Sequence, residues 1–233
     1  FKESPVIADM HIYFGELLYD MKKYEDAGAE YRWVVENGKG SKFYSRALEN
    51  TVLALEKDLP ADAQLSKQAG KSIEPIPLDP RVDRFIQAAQ LYISQFPKSE
   101  KTPEMKFRVG RLYYQYNQFD PAILYFKEIV LKHPKTKYAE YSANLLLDIY
   151  NLRKDYTGLA KTGNELLADP AFARSQAGKD IKGVMEKANF KRAQDLEVAK
   201  NYGESAVQYE AFSRQNPNSE LASTAIFNAA INY

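Results

Sequence analysis

Residues 109–136 read VGRLYYQYNQFDPAILYFKEIVLKHPKT, and the spacing inside this stretch decides the fold. Val109-Gly110 is followed by Tyr113, then Ala122 nine residues on, Phe126 four later and Pro134 eight later. Apolar residues three and four apart form the buried stripe of an amphipathic helix. The stretch therefore predicts two helices that bury facing stripes. Gly110 and Ala122 are small enough to let antiparallel helices approach closely. Phe126 is large enough to fill the gap to whatever packs next. Pro134 ends the second helix, because it lacks an amide hydrogen and clashes with the preceding turn. Thr136 then sits where its hydroxyl can cap the free amides of the next helix.

The pattern recurs along the chain. Pro97-Lys-Ser99, Pro134-Lys-Thr136 and Pro217-Asn-Ser219 share one form, and Pro170 follows a similar run. These prolines stand 37, 36 and 47 residues apart. Before Pro217 lie Ala193, Leu196, Tyr202, Ser205, Tyr209 and Phe212, at the offsets of their counterparts before Pro134. Phe14, Gly15, Leu18, Tyr24, Ala27, Tyr31 and Val34 keep the same spacing, with Lys39 where the proline would fall. A unit of this size cannot bury its apolar face alone, so stacked copies are required.

Read this way, residues 1–233 form a single array with repeats at about 8–40, 41–97, 98–134, 135–170 and 171–217, and a partial unit at 218–233. The second repeat has its first helix at about 41–58, with Phe43, Ala47, Leu48, Thr51, Val52 and Leu55 inward. Its second helix, about 81–96, carries Phe85, Ala89, Tyr92 and Phe96. Between them, 59–80 is an inserted loop with four prolines. The fourth repeat places Leu146, Leu147 and Tyr150 on one helix, and Tyr156, Leu159 and Leu166 on the next. The fifth has an elongated first helix from roughly Asp180 to Ala199. Leu221, Ala222, Ala225, Ala229 and Tyr233 then restart the pattern, leaving an apolar helix face open. The opening Phe-Lys-Glu-Ser-Pro lacks an initiator Met, and Tyr233 falls inside a helical stretch, so the chain reads as a fragment of a longer protein.

The set Val109-Gly110-x2-Tyr113, Ala122, Phe126, Pro134 resembles the tetratricopeptide repeat (TPR) family. Lys106 and His11 stand where that family places a tryptophan. The resemblance implies an all-α, right-handed superhelical solenoid of helix-turn-helix repeats, about five and the first helix of a sixth. It implies a non-catalytic protein-protein interaction scaffold that holds a partner peptide or helix in a concave groove. The proline junctions and the Ala- and Tyr-rich first helices look like bacterial cell-envelope members of the family, of the outer-membrane assembly lipoprotein or Tol-Pal coordinator type. That implies the periplasm or the outer-membrane periphery. The alternatives are a regulatory or substrate-recruiting array of a larger enzyme or secretion or motility complex, and a cytoplasmic peptide-binding co-chaperone.

Composition excludes other classes. Lys and Arg total 32 against 31 Asp and Glu, a net charge of +1, so counterion release gives no drive toward nucleic acid. The 17 Tyr and 12 Phe fall mostly at helical core spacing rather than as base-stacking platforms. With no cysteine, thiol catalysis, disulfides and Cys-based zinc sites are excluded. No stretch is apolar for long enough to span a membrane. His11 and His133 lie on different repeats without ligand-type neighbours, so no metal and no cofactor is expected. Ala69-Gly70-Lys71-Ser72 mimics part of a phosphate loop, but Leu65 stands where a Gly is needed, and Pro75 and Pro77 prevent the helix that must follow.

Offsets from the family pattern then imply the partner-binding positions. They are Ile12, Glu16 and Tyr19 in the first repeat and Glu49, Asn50 and Leu53 in the second. The third offers Phe107, Arg108, Arg111 and Tyr114; the fourth, Asn144, Asp148 and Asn151; the fifth, Phe190, Lys191, Gln194 and Glu197. Arg108, Arg111 and Tyr114 beside Asn144 and Asp148 form the most suggestive cluster, since Arg and Tyr are frequent interface anchors. The competing reading is a plain Arg111–Asp148 ion pair. Ile12 and Glu16, where family members that grip a C-terminal carboxylate have Lys and Asn, argue against that clamp at this end.

Overall fold

A computed structural model describes residues 5–61 and 73–233. Among the described residues all regular structure is α-helical, as the periodicity requires, in twelve helices without a strand. They are α1 (Pro5–Asp20), α2 (Tyr24–Asn37), α3 (Tyr44–Lys57), α4 (Pro80–Gln95), α5 (Thr102–Gln115) and α6 (Phe119–Lys132). There follow α7 (Lys137–Arg153), α8 (Tyr156–Leu167), α9 (Pro170–Arg174), α10 (Gln176–Val198), α11 (Tyr202–Gln215) and α12 (Ala222–Asn232). The phosphate-loop mimic 69–72 lies outside the described residues.

Two local devices recur. At the turn from α1 to α2, Lys22 is left-handed (φ 61°), its amide donates to Tyr19 O and the next amide to Leu18 O. Asn117, Lys154 and Lys200 repeat this geometry after α5, α7 and α10. The six-to-one bond consumes a carbonyl that the helix end would otherwise strand. The second device precedes α3, α5, α7 and α12. Ser41, Ser99, Thr136 and Ser219 each donate their amide three residues back, and their carbonyl accepts from the amide three residues on. The hydroxyls of Ser41, Ser99 and Ser219 also accept from the amides of Phe43, Lys101 and Leu221 at 3.1–3.2 Å. Thr136 departs from this expectation: its hydroxyl donates to His133 O instead (2.9 Å).

The chain divides into two compact units, Phe1–Tyr125 and Phe126–Tyr233. In the first, α1 packs on α2, α2 on α3, α3 on α4 and α4 on α5. Their shared core holds Ala27, Tyr31, Leu48, Leu55, Phe85, Ala89, Tyr92 and Val109, all nearly sealed from solvent. Gly15 and Tyr31 show why a small residue is needed: a Cβ at Gly15 would stand 2.6 Å from the Tyr31 ring. The described end of the 59–80 insertion is tied down here. Ile76 N donates to Tyr116 O, Asn117 Nδ2 to Glu74 O and Gln118 Nε2 to Ile76 O, at 2.9–3.0 Å.

In the second unit α7 packs on α8 and α10, α8 on α10, α10 on α11 and α11 on α12. Phe190, Ala193, Tyr209, Phe212, Ala225 and Ala229 form a core there. Pro170 does more than end α8. Asp169 accepts from the Ala171 and Phe172 amides, both at 2.8 Å, so Pro170 starts the five-residue α9. Three expected core positions are open instead. Phe14 is 49% exposed, in line with exposed Val6, Met10 and Leu17 on one face of α1, with exposed Met21 just beyond its end. Tyr202 is 49% exposed at the outset of α11, and Tyr233 is 73% exposed, with its hydroxyl on Glu210 (2.9 Å). Each keeps the repeat's register but lies where no described element covers that face.

Helix starts have measurable consequences. Asp79 caps α4 by accepting from Arg81 N (2.8 Å), and the Arg81 side chain grips the same carboxylate. Those bonds hold the Asp79 pKa below its ordinary value of 3.8. A lowered folded pKa means stability that is present above pH ~3.8 and lost as acid protonates the folded carboxylate. Asp79→Ala is expected to cost about 1 kcal/mol near neutrality. Urea titrations of both proteins should converge as the pH falls below that value; equal loss at all pH values would remove the charge from this account.

Candidate functional site

Eight of the expected binding positions line two cavities, one in each unit: Glu16, Tyr19, Asn50 and Leu53 in the first, and Asn144, Asp148, Asn151 and Lys191 in the second. In the first, α1 and α3 enclose a cavity of about 320 Å³ lined by Glu16, Tyr19, Asp20, Tyr31, Arg46, Asn50 and Leu53. Glu16, Tyr19 and Asp20 lie within about one turn of α1, and Arg46, Asn50 and Leu53 lie at four- and three-residue steps along α3. Tyr31 forms the floor and is 2% exposed. Burial, with Glu16 next in importance, pushes its phenol up to about 12, so it is a neutral hydroxyl at any physiological pH. Arg46 forms an ion pair with Glu16 across the cavity. Tyr19 is held edge-on by Tyr24, with ring centres 5.1 Å apart.

Ile12 is a correction. It is fully buried in the α1–α2–α3 core and cannot meet a partner. It lies one turn before Glu16, but the packed stripe of α1 runs through Ala8, Ile12 and Gly15. Glu49, beside Asn50, is engaged by Lys101 (3.2 Å) and by the Tyr92 hydroxyl (3.4 Å). On α5, Arg108 is held by Glu56 and by Glu104 (2.5 Å). Tyr114 packs at a tilt on Phe119 (6.0 Å). Phe107 is half-buried and Arg111 exposed.

In the second unit α7 and α10 flank a cavity of about 520 Å³. Asn144, Asp148 and Asn151 come from α7, and Lys187 and Lys191 from α10. Leu147, Leu159, Val184 and Ala188 supply an apolar lining. Four expected positions, Asn144, Asp148, Asn151 and Lys191, therefore share one site. Asn144 and Asn151 have no side-chain hydrogen-bond partner, and Lys187 no ion-pair partner, among the described residues. Lys191 pairs with Asp195 (3.2 Å). Tyr156, at the rim, has its phenol pKa raised by burial and by the nearby Asp195 carboxylate.

Phe190 is the second correction. It is 7% exposed, edge-on to Tyr209 (5.3 Å) and Phe212 (5.4 Å), and belongs to the core. Lys191 reaches the cavity from the next position because one residue turns a helix by about 100°. Glu197 accepts from the Tyr209 hydroxyl (3.0 Å), and Gln194 is half-buried outside the cavity. Sequence reasoning missed Asp20, Tyr31 and Arg46 in the first site and Lys187 in the second. The three- and four-residue spacing to Glu16, Asn50 and Lys191 was the available signal for Asp20, Arg46 and Lys187.

His11 stacks on Trp33 (3.8 Å between centres) and bonds Glu30 (2.5 Å), a packing role. Among the described residues no group of three or more His, Asp or Glu is placed to hold a metal ion. No described helix is long and apolar enough to cross a membrane.

No family model matches the chain, and no curated protein does. Among solved structures it is similar to the TPR2AB-domain:pHSP90 complex of yeast Sti1, at 14% identity and a TM-score of 0.33, over 97% of this chain and 100% of that one. It is also similar to a tetratricopeptide repeat protein from Parabacteroides merdae ATCC 43184, at 12% identity and a TM-score of 0.29, over 96% and 98%.

Proposed function

We propose that this protein is a non-catalytic interaction scaffold of TPR-type helix pairs that holds an extended partner peptide. The α7–α10 cavity carries the reading. Asn144 and Asn151 stand seven residues apart on one helix, roughly 10 Å at 1.5 Å per residue. Three residues of extended chain cover the same distance. Each side-chain amide can give and take a hydrogen bond, the pair that a peptide unit offers in return. The apolar lining takes side chains, and Lys187 adds a charge that no carboxylate of the described residues neutralises. Phe107, Arg108, Arg111, Tyr114 and Gln194 are retained as further contacts. The envelope setting, at the periplasm or outer-membrane periphery, rests on the proline junctions and belongs to the same proposal.

Peptide display against the purified chain tests it. Peptides selected by the wild type should lose about thirtyfold in affinity for Asn144→Ala/Asn151→Ala, the worth of four hydrogen bonds at roughly 0.5 kcal/mol each. Circular dichroism should remain unchanged. Equal affinity for the folded double variant would remove the groove reading.

A further inference from the structure

The α1–α3 cavity has a different chemistry, and we propose that it is a specificity pocket for one cationic side chain, Lys or Arg, of a bound segment. This rests on the reading that the chain holds extended peptides. Charge gives the sign: Glu16 and Asp20 face a single Arg46, so one carboxylate is uncompensated. Asp20 has no ion-pair partner among the described residues.

One buried side chain, that of Tyr31, then points to a ligand rather than a solvated acidic patch. Glu16 Oε1 is sealed from solvent and already answered by the Arg46 guanidinium, so Asp20 is the carboxylate left for a ligand. Tyr31, buried to 98% of its surface, places its phenol among Glu16, Asp20 and Tyr19 with no hydrogen-bond partner among the described residues. The Tyr31 oxygen itself is not sealed, so it faces the cavity with hydrogen-bonding capacity that no described residue takes up. The phenol stays neutral, so its oxygen keeps lone pairs for an incoming N–H.

The walls select a side chain over a bare ion. Leu53, 46% exposed, and half-buried Tyr19 offer apolar contact for a methylene stem, and the aromatic ring of Tyr19 favours a cation. About 320 Å³ admits one long side chain.

The test uses immobilised random peptides with one fixed central residue, Arg, Lys, norleucine or Glu, against the whole chain. Wild type should retain the Arg and Lys pools at least tenfold better than the norleucine pool, and the Glu pool least. Asp20→Asn, at an exposed site, should reduce that preference about fivefold. Tyr31→Phe should reduce it about threefold with an unchanged unfolding midpoint. Asn144→Ala/Asn151→Ala, in the other unit, should leave the preference intact. Retention of norleucine and Glu pools as strongly as Arg, or a preference unmoved by Asp20→Asn, overturns the cation pocket and leaves peptide binding standing. Failure to retain any pool overturns both.

Discussion

Gly178→Ala should destabilise the protein by about 2 kcal/mol, whereas Gly183→Ala, five residues along the same helix, should stabilise it by up to ~1 kcal/mol. Alanine is the better helix former by about 1 kcal/mol at either position, so propensity alone predicts two gains. Space decides otherwise. A Cβ on Gly178 would fall on the Phe172 carbonyl oxygen and stand 2.9 Å from Ala173 Cα. Both neighbours are backbone of α9. Ser175 pins that crossing, accepting from Gly178 N (3.1 Å) and donating to Phe172 O (2.6 Å). No flexible side chain is there to yield, so α9 must move and Phe172 must leave its buried seat. Around Gly183 there is nothing within 4 Å of the added atom. Urea midpoints of the two variants therefore move in opposite directions. A shared direction would show that α9 does not press on α10 as described.

That crossing was not legible in the sequence, and the contrast with what was legible is physical. Ala27, Ala122, Tyr31 and Phe126 announced themselves because burial at helical period restricts residue size at each step, and all four are sealed. The left-handed turns were hidden. Lys22, Lys154 and Lys200 carry no preference for φ > 0, so only the local backbone bonds that close the helix end reveal the geometry. Pro170 misled for a related reason: the ring that stops α8 also suits the first position of α9, and the Asp169 cap decides in favour of both. The sites were half legible. Offsets along a helix locate a face to within one residue, which suffices for Asn144, Asp148 and Asn151 on one stripe. It fails for Ile12 and Phe190, where a neighbour one or four places on meets solvent and the residue itself meets the core. Tyr31 was recognised as a core aromatic, but a sequence cannot show that its hydroxyl ends in a cavity.

Tyr209→Ala should cost about 4 kcal/mol and Tyr209→Phe only about 1 kcal/mol. The ring is fully buried and meets Phe190 and supports Phe212 through it, so truncation opens a void in a core that α10, α11 and α12 share. Removing the hydroxyl alone gives up the bond to Glu197 (3.0 Å) and leaves the packing intact. The two variants also separate at high pH. Burial is the main cause that pushes the Tyr209 phenol up to about 12, from an ordinary value of 10.0. A folded pKa above the unfolded one gives stability that is whole below pH ~10 and lost as the pH rises toward about 12, because the folded form holds the proton longer. Phenylalanine has no proton to lose. The gap between wild type and Tyr209→Phe should therefore narrow between those values in alkaline unfolding, while the Tyr209→Ala deficit at neutral pH stays several times larger than the Tyr209→Phe deficit. If the two variants cost the same at pH 7, the hydroxyl rather than the ring holds this core, and the packing of α10 against α11 and α12 has been misassigned.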